Sequence, residues 1–212
     1  MKLTVFGATG GIGQEIVRQA LDAGHEVTAV VRDPARFPVT GPRLDVVRSD
    51  LSDPAALRPA VAGRDAVLSG LGARNRADAA TGVATRLTRA VLRAMESTAT
   101  RRLVVVSAAP VGPVPEGQGV ADKAMLAIVN SVLKDVYTDL RAMEGELAAS
   151  ATDWTSVRPP KLTDKPVTGR YRRVIGGTPP RGRNLARADV AHAMLATVDD
   201  PATVRQGVGV AY

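Results

Sequence analysis

The stretch Val5–Val17, VFGATGGIGQEIV, places glycines at Gly7, Gly10 and Gly13, with a further one at Gly11. An apolar run, LTVF, precedes them and an amphipathic run, QEIVRQALDAG, follows, so the glycines fall where a strand gives way to a helix. Gly7 permits the tight reversal, Gly10 lets backbone N–H groups approach a pyrophosphate without an intervening side chain, and Gly13 lets the helix lie close to the strand. The N–H groups of Gly11 and Ile12, with the partial positive charge of the helix N-terminus, favour a dianionic phosphate, and Thr9 adds a hydroxyl donor. An ordinary glycine-rich turn is the bland alternative. The position of this one, first in an alternating chain, predicts a dinucleotide site.

Outward from that turn the chain repeats one beat. Strand-like apolar runs are KLTVF, EVTAVV, LDVVR, DAVLSGL, RLVVVSA and WTSVR. Helical patterns lie between them over Gly11–Ala23, Pro54–Val61, Thr81–Glu96 and Val120–Ala149. Strands apolar at nearly every residue are expected where helices cover both sheet faces. The alternation predicts an α/β fold: a Rossmann-like, doubly wound parallel sheet with helices on both faces and right-handed crossovers. PVGPVPEGQG and GGTPPRGRN read as loops late in the sheet order, placed to form a substrate lid. Residues 1–212 are expected to form a single domain, with the substrate site built from C-terminal loops.

Composition narrows the chemistry. The 212 residues contain no cysteine and two histidines, His25 and His192, which excludes disulfide, zinc-thiolate and thiol chemistry and argues against any metal site. No apolar stretch reaches the about 20 residues that span a bilayer, so a soluble cytoplasmic protein is expected. The net charge of +7 could suit nucleic acid or a phosphate-rich cofactor. Its arginines are dispersed apart from GRYRRV and PPRGRNLAR, and with 3% aromatics there is little for bases to stack on; both argue against nucleic acid.

The end of the second strand chooses between cofactors. Arg32 follows EVTAVV directly and Arg36 lies a turn later, where an NAD enzyme usually carries a carboxylate for the ribose hydroxyls. A guanidinium forks onto a 2′-phosphate that a carboxylate would repel, which points to NADP(H). Asp33 is adjacent, so Arg32 is alternatively a solvated loop residue with Asp33 capping the next turn. After the third strand, Asp50 could accept from an adenine amino group beside Leu51, or cap a turn. After the fourth, Leu71, Gly72, Ala73 and Arg74 line the same edge, with glycine allowing close approach of a ribose or nicotinamide.

FGATGGIG, VTAVVRDPAR, GRDAVLSGLGARN and WTSVRPPKLTDKPVTGRY together resemble the atypical short-chain dehydrogenase/reductases, in particular the flavin reductase/biliverdin-IXβ reductase type that merges into the NmrA-like NAD(P)-binding proteins. RADVAHAML extends the likeness toward the C-terminus. The resemblance implies NADPH as hydride donor and a flat conjugated acceptor such as a flavin or tetrapyrrole. It places Ser107, at the end of the fifth strand, beside the nicotinamide, and Pro159 with Pro160 as a rigid wall there. The family's second hydroxyl falls on Ala108 and its histidine on Lys161, which could attract an acidic substrate, supply a proton, or stand as a solvated cation.

Ordinary short-chain dehydrogenases use a Tyr-x-x-x-Lys pair. Here the nearest spacing is Tyr137 with Arg141, and arginine does not reproduce the geometry of lysine; i and i+4 are also neighbours on any helix. Hydride transfer to a flavin or quinone needs mainly near-attack geometry, since water can supply the proton. Three classes follow: an NADPH-dependent reductase of a small-molecule electron acceptor; an NmrA-like redox sensor acting on a protein partner without turnover; and an isomerase or epimerase, disfavoured by its weak acid/base equipment.

Overall fold

The computed structural model describes residues 1–73, 75–113 and 131–212. Among the described residues there are ten strands: β1 (Lys2–Phe6), β2 (Glu26–Val31), β3 (Leu44–Arg48), β4 (Ala66–Ser69), β5 (Arg102–Val106), β6 (Asp153–Arg158), β7 (Lys161–Thr163), β8 (Arg172–Ile175), β9 (Asn184–Ala186) and β10 (Gln206–Ala211). The α-helices among the same residues are α1 (Gly11–Asp22), α2 (Pro54–Val61), α3 (Arg76–Ala80), α4 (Val83–Glu96), α5 (Lys134–Ala149) and α6 (Arg187–Ala196). Eight strands form one sheet in the order β3-β2-β1-β4-β5-β6-β10-β8, all parallel except β8, and β7 pairs with β9 in a small parallel ladder. The order reverses between β1 and β4, the switch point at whose strand ends such sheets bind ligands.

The central strands are buried on both faces because each face has its own core. On one side, α1 and α6 pack over Leu3, Val5, Val104 and Val157. On the other, α2, α4 and α5 cover Phe6, Val67, Leu103 and Val105. The edge strand β3 departs from this pattern: its apolar composition matches the others, yet Val46 is 37% exposed, since only β2 flanks it.

Two side chains fix the outer elements. Arg102, at the start of β5, donates from Nε to the Val198 carbonyl (2.8 Å), from Nη1 to that of Asp153 (2.6 Å), and from Nη2 to the Thr197 carbonyl and Thr203 Oγ1. It thereby satisfies carbonyls at the C-terminus of α6 that no helical N–H reaches.

Asp139 of α5 acts on the start of α4. The sequence suggests that helix begins at Thr81, but Gly82 adopts φ +65° and the helix starts at Val83. Gly82 has no side chain to cap with. Asp139 instead accepts from Ala84 N–H (2.8 Å), Thr85 N–H (2.9 Å) and Thr85 Oγ1 (2.7 Å), capping α4 from another helix. The preceding residues form the separate short helix α3, capped by Asn75. The expected helix over Val120–Ala149 is seen as α5 from Lys134; residues 120–130 lie outside the described residues, as does most of PVGPVPEGQG.

Asp139→Ala removes that cap and leaves buried donors unpaired. It is expected to cost about 2 kcal/mol, the upper end for an N-cap, read as a lowered denaturation midpoint in urea. Asp139→Asn, which keeps an acceptor oxygen, should recover part of the loss.

Candidate cofactor and substrate site

The glycine-rich turn is built by backbone crowding. Gly7 has φ +71°, and a Cβ there would lie 2.7 Å from the Gly70 carbonyl carbon and 2.8 Å from the Leu71 nitrogen. A Cβ on Gly13 would overlap the Gly7 carbonyl oxygen. Gly10 N–H donates to that oxygen at 2.9 Å, and the Gln14 side-chain amide donates to the Thr9 carbonyl at 3.0 Å, so the turn is held from both sides. Gly10 is the N-cap of α1, offers no side-chain cap, and is followed by a first turn without an acidic residue. The first N–H groups of the helix, those of Gly11 and Ile12 among them, thus remain available to an anion. Thr9, Gly10 and Gly11 are exposed, and the side chain of Arg187 passes across Gly11.

Arg32 and Arg36 are exposed just past β2. Asp33 accepts from Ala35 N–H at 3.1 Å and caps the single 3-10 turn Pro34–Arg36. The carboxylate is engaged in the turn while both guanidinium groups stay at the edge, so capping by Asp33 and phosphate recognition by Arg32 are compatible. Asp50 likewise accepts from Ser52 N–H (2.9 Å), chiefly the bond that holds its carboxyl below the usual range. Leu51 sits at φ +68° and is 4% exposed, packed beside Phe6, Val30 and Leu57, which leaves little of its side chain for a ring to touch. A non-glycine residue in that region costs about 1–2 kcal/mol. Leu71 is buried, Gly72 exposed and Ala73 half-buried; a Cβ on Gly72 would meet open space. Arg74 lies outside the described residues.

Beyond the switch point, Ser107 N–H donates to the Val157 carbonyl and Ala109 N–H to the Pro159 carbonyl, both at 2.8 Å. These bonds hold the chain leaving β5 against the chain leaving β6, so Ser107 and Pro159 stand together. Ser107 Oγ is buried with no hydrogen-bond partner among the described residues. Pro159 is buried, and Lys161, first residue of β7, is exposed.

Next to Ser107 lies a buried ion pair that the sequence reading missed. Arg158 donates from Nε to Glu144 Oε1 (3.0 Å) and from Nη2 to Oε2, and Ser156 Oγ donates to Oε1 (2.7 Å). The side chains of Arg158 and Glu144 are 12% and 11% exposed. Burial pushes the Glu144 carboxyl up, but hydrogen bonds from Arg158 and Ser156 outweigh it and hold the group below its usual range. The nearby Ser107 hydroxyl also favours the carboxylate, although its geometry falls short of a hydrogen bond. Space for the guanidinium comes from missing side chains: a Cβ on Gly112 would be 2.9 Å from Arg158 Nη1, and one on Gly207 would overlap it. An arginine closing a buried strand, with glycine in a facing strand, is the signal that could have revealed the pair.

Tyr137 is 7% exposed, and burial pushes its phenol up, with Arg141 only partly opposing the shift. Arg141 Nη2 donates to the Pro110 carbonyl at 3.1 Å. The pair therefore lacks the lowered phenol that Tyr-x-x-x-Lys chemistry requires. The C-terminal arginines are similarly engaged: Arg172 donates to the carbonyls of Pro180 and Tyr212, and Arg173 pairs with Asp200 at 2.8 Å. Among the described residues no cluster of His, Asp or Glu could hold a metal, and no helix is long and apolar enough to cross a membrane.

Glu144→Ala strands a buried guanidinium and is expected to cost about 3 kcal/mol of stability. Because the folded state depresses the Glu144 pKa, its contribution is present above the unfolded value, about 4.3, and is lost as pH falls through the lower folded value. Urea melts between pH 7 and pH 3 should therefore show a shallower acid loss in Glu144→Gln than in the parent.

Comparison with known proteins bears on the fold and the family. A Streptococcus pneumoniae structure provisionally assigned as an NADH-flavin reductase superposes with a TM-score of 0.80 at 22% identity, covering 100% of this chain and 99% of that one. A short-chain dehydrogenase/reductase of Veillonella parvula in complex with NADP gives a TM-score of 0.79 at 21% identity, covering 100% and 94%. Both share the fold. In sequence, 66 residues are 42% identical to the photosystem II assembly factor Ycf39 of Cyanophora paradoxa, spanning 30% of this chain and only 20% of that protein. The NAD(P)H-binding family matches residues 7–201, from the first glycine of the turn to the segment before β10. With its turn, switch point and strand order accounted for over that whole span, the chain belongs to the NAD(P)H-binding family and has a Rossmann-like fold.

Proposed function

We propose that the protein is an NADPH-dependent reductase that passes hydride to a flat conjugated small molecule such as a flavin or quinone. One observation carries this reading: a buried, unpartnered Ser107 hydroxyl beside Pro159 at the strand ends, with no activated phenol supplied by Tyr137. An unsatisfied buried hydroxyl is costly unless a bound molecule completes it. Such a site suits chemistry that needs orientation more than proton abstraction.

The residues present fit an NADP-type dinucleotide. The N–H groups of Gly11 and Ile12 and the Thr9 hydroxyl take the pyrophosphate, Arg32 and Arg36 take the 2′-phosphate, and Asp50 and Leu71–Ala73 flank the adenosine edge, with Leu51 packed in the core behind them. Reduced nicotinamide supplies the hydride. Ser107 donates a hydrogen bond to an acceptor oxygen or to the carboxamide, and Pro159 limits the acceptor to a flat pose. Lys161 attracts an anionic substituent from the C-terminal loops that complete the substrate side.

A second reading is a redox sensor that binds the cofactor and a protein partner without turnover. Arg141 in place of the lysine of a Tyr-x-x-x-Lys pair favours it. The short match to a photosystem II assembly factor is also compatible with a partner-binding role.

A charge-assisted hydrogen bond is worth about 1.5–3 kcal/mol, or about ten- to hundredfold in affinity. Arg32→Ala should lose NADPH affinity by that factor and leave NADH nearly unchanged in a fluorescence titration; equal losses would remove Arg32 from the 2′-phosphate. For turnover, loss of reduced-nicotinamide absorbance is followed with FMN or a quinone added. Acceptor-dependent oxidation that prefers NADPH and falls about tenfold or more in Ser107→Ala supports the reductase. Binding of NADPH with no oxidation across both acceptor classes favours the sensor.

A further inference from the structure

We propose that Arg187 grips the cofactor pyrophosphate, and that Asp164 is the partner it releases to do so. The proposal rests on the dinucleotide reading above and adds a residue from the far end of the chain. It begins with Gly11, a glycine of the turn that neither the reversal nor the helix–strand packing needs. A Cβ on Gly11 would lie 2.7 Å from Arg187 Cδ and 3.2 Å from its Nε, so a larger residue there would push the arginine off the path it takes across the phosphate turn.

Arg187 is the first residue of α6, where a cation opposes the helix dipole. That placement does not serve the helix itself. The Gln19 side chain donates to the Ala188 carbonyl at 2.9 Å and ties α6 to α1, which keeps Arg187 next to the first residue of α1. The guanidinium is paired with Asp164, but the two side chains are 34% and 85% exposed, so solvent screens the pair. A pyrophosphate offers more negative charge and a fork of acceptor oxygens that matches the guanidinium, and the N–H groups of α1 bind it at the same time. Exchange of carboxylate for phosphate therefore runs toward the cofactor.

The exchange reaches the substrate side. Asp164 directly follows β7, the strand that Lys161 begins, and the chain beyond it is held where Asp189 accepts from Thr168 N–H (2.9 Å) and Gly169 N–H (2.8 Å). When Arg187 turns to phosphate, residues 164–167 keep the Asp189 anchor and lose the Arg187 one. Cofactor binding thus releases one tether of the segment that leaves β7, while Lys161 stays in the β7–β9 ladder.

The test is a calorimetric titration of the full chain and its variants with NADP⁺ and NAD⁺, with 2′-AMP added as a competitor that has no pyrophosphate. Arg187→Gln is expected to weaken both dinucleotides by the same factor, about ten- to hundredfold, and to leave 2′-AMP unchanged. Asp164→Asn should tighten both dinucleotides in the parent and do nothing in Arg187→Gln. Gly11→Ala, which pushes the arginine aside, should resemble Arg187→Gln. Thermal melting confirms that each variant is folded. Unchanged dinucleotide binding by folded Arg187→Gln, or weaker binding by Asp164→Asn, overturns the clamp while leaving the dinucleotide reading intact. A parent chain that binds neither dinucleotide overturns both.

Discussion

Where α1 meets β1, the Cα of Gly13 faces the carbonyl of Gly7 so closely that a methyl group would overlap its oxygen, and Gly7 presses in turn on Gly70 and Leu71 at the end of β4. Three backbones converge there with no side chain between them. That convergence sets the axis of α1 relative to the sheet and the opening between β1 and β4. The docking of α6 on α1 carries the same constraint to the C-terminal part of the chain. A substituent at either glycine would displace elements far from the turn, because close-packed interiors transmit strain.

The two halves of the strand-end edge are made from different materials. On the β1–β4 side the exposed polar groups are mostly main-chain N–H groups and arginines, beside turns that Asp33 and Asp50 cap. On the β5–β6 side, a desolvated carboxylate–guanidinium pair backs a hydroxyl that has no partner of its own. Polar groups buried together fix each other's rotamers, so the second half is rigid through its side chains where the first is rigid through its backbone.

Much of this was legible in the residues. The glycine spacing, the apolar runs and the intervening amphipathic stretches located the first six strands, because covered parallel strands carry their burial openly in sequence. β10 was not visible, and its QGVGVA sequence shows why: Gly207 and Gly209 weaken strand propensity, yet a Cβ at the first would overlap Arg158 and one at the second the Gly177 carbonyl. α6 escaped a periodicity reading for another reason. Ala188, Asp189, Val190, Ala191, Ala193 and Met194 are all buried, so it has no polar stripe to set against an apolar one. At the site, Arg32 and Ser107 could be placed from strand ends alone. Arg158 with Glu144, and Arg187 over Gly11, are pairings between distant parts of the chain that no local pattern encodes.

The hydrogen bonding of Arg102 has a consequence for how the chain reaches this state. Its guanidinium spans residues separated by about half the sequence, joining the start of β5 to Asp153, Thr197, Val198 and Thr203. During synthesis β1 to β5 emerge first, and at that stage a charged group at the start of β5 has only water for company. Three of its four acceptor residues, Thr197, Val198 and Thr203, exist only once the last helix has been made. β6 must also enter between β5 and a final strand, β10, that has yet to appear. Local pairing among the early strands is therefore the inexpensive part of assembly. The closing of long loops by the C-terminal elements is the slow one, as expected where contacts are far apart in sequence. Until that closure, the apolar flank of β5 and β6 stays open, and the nascent chain is at its most prone to associate with others.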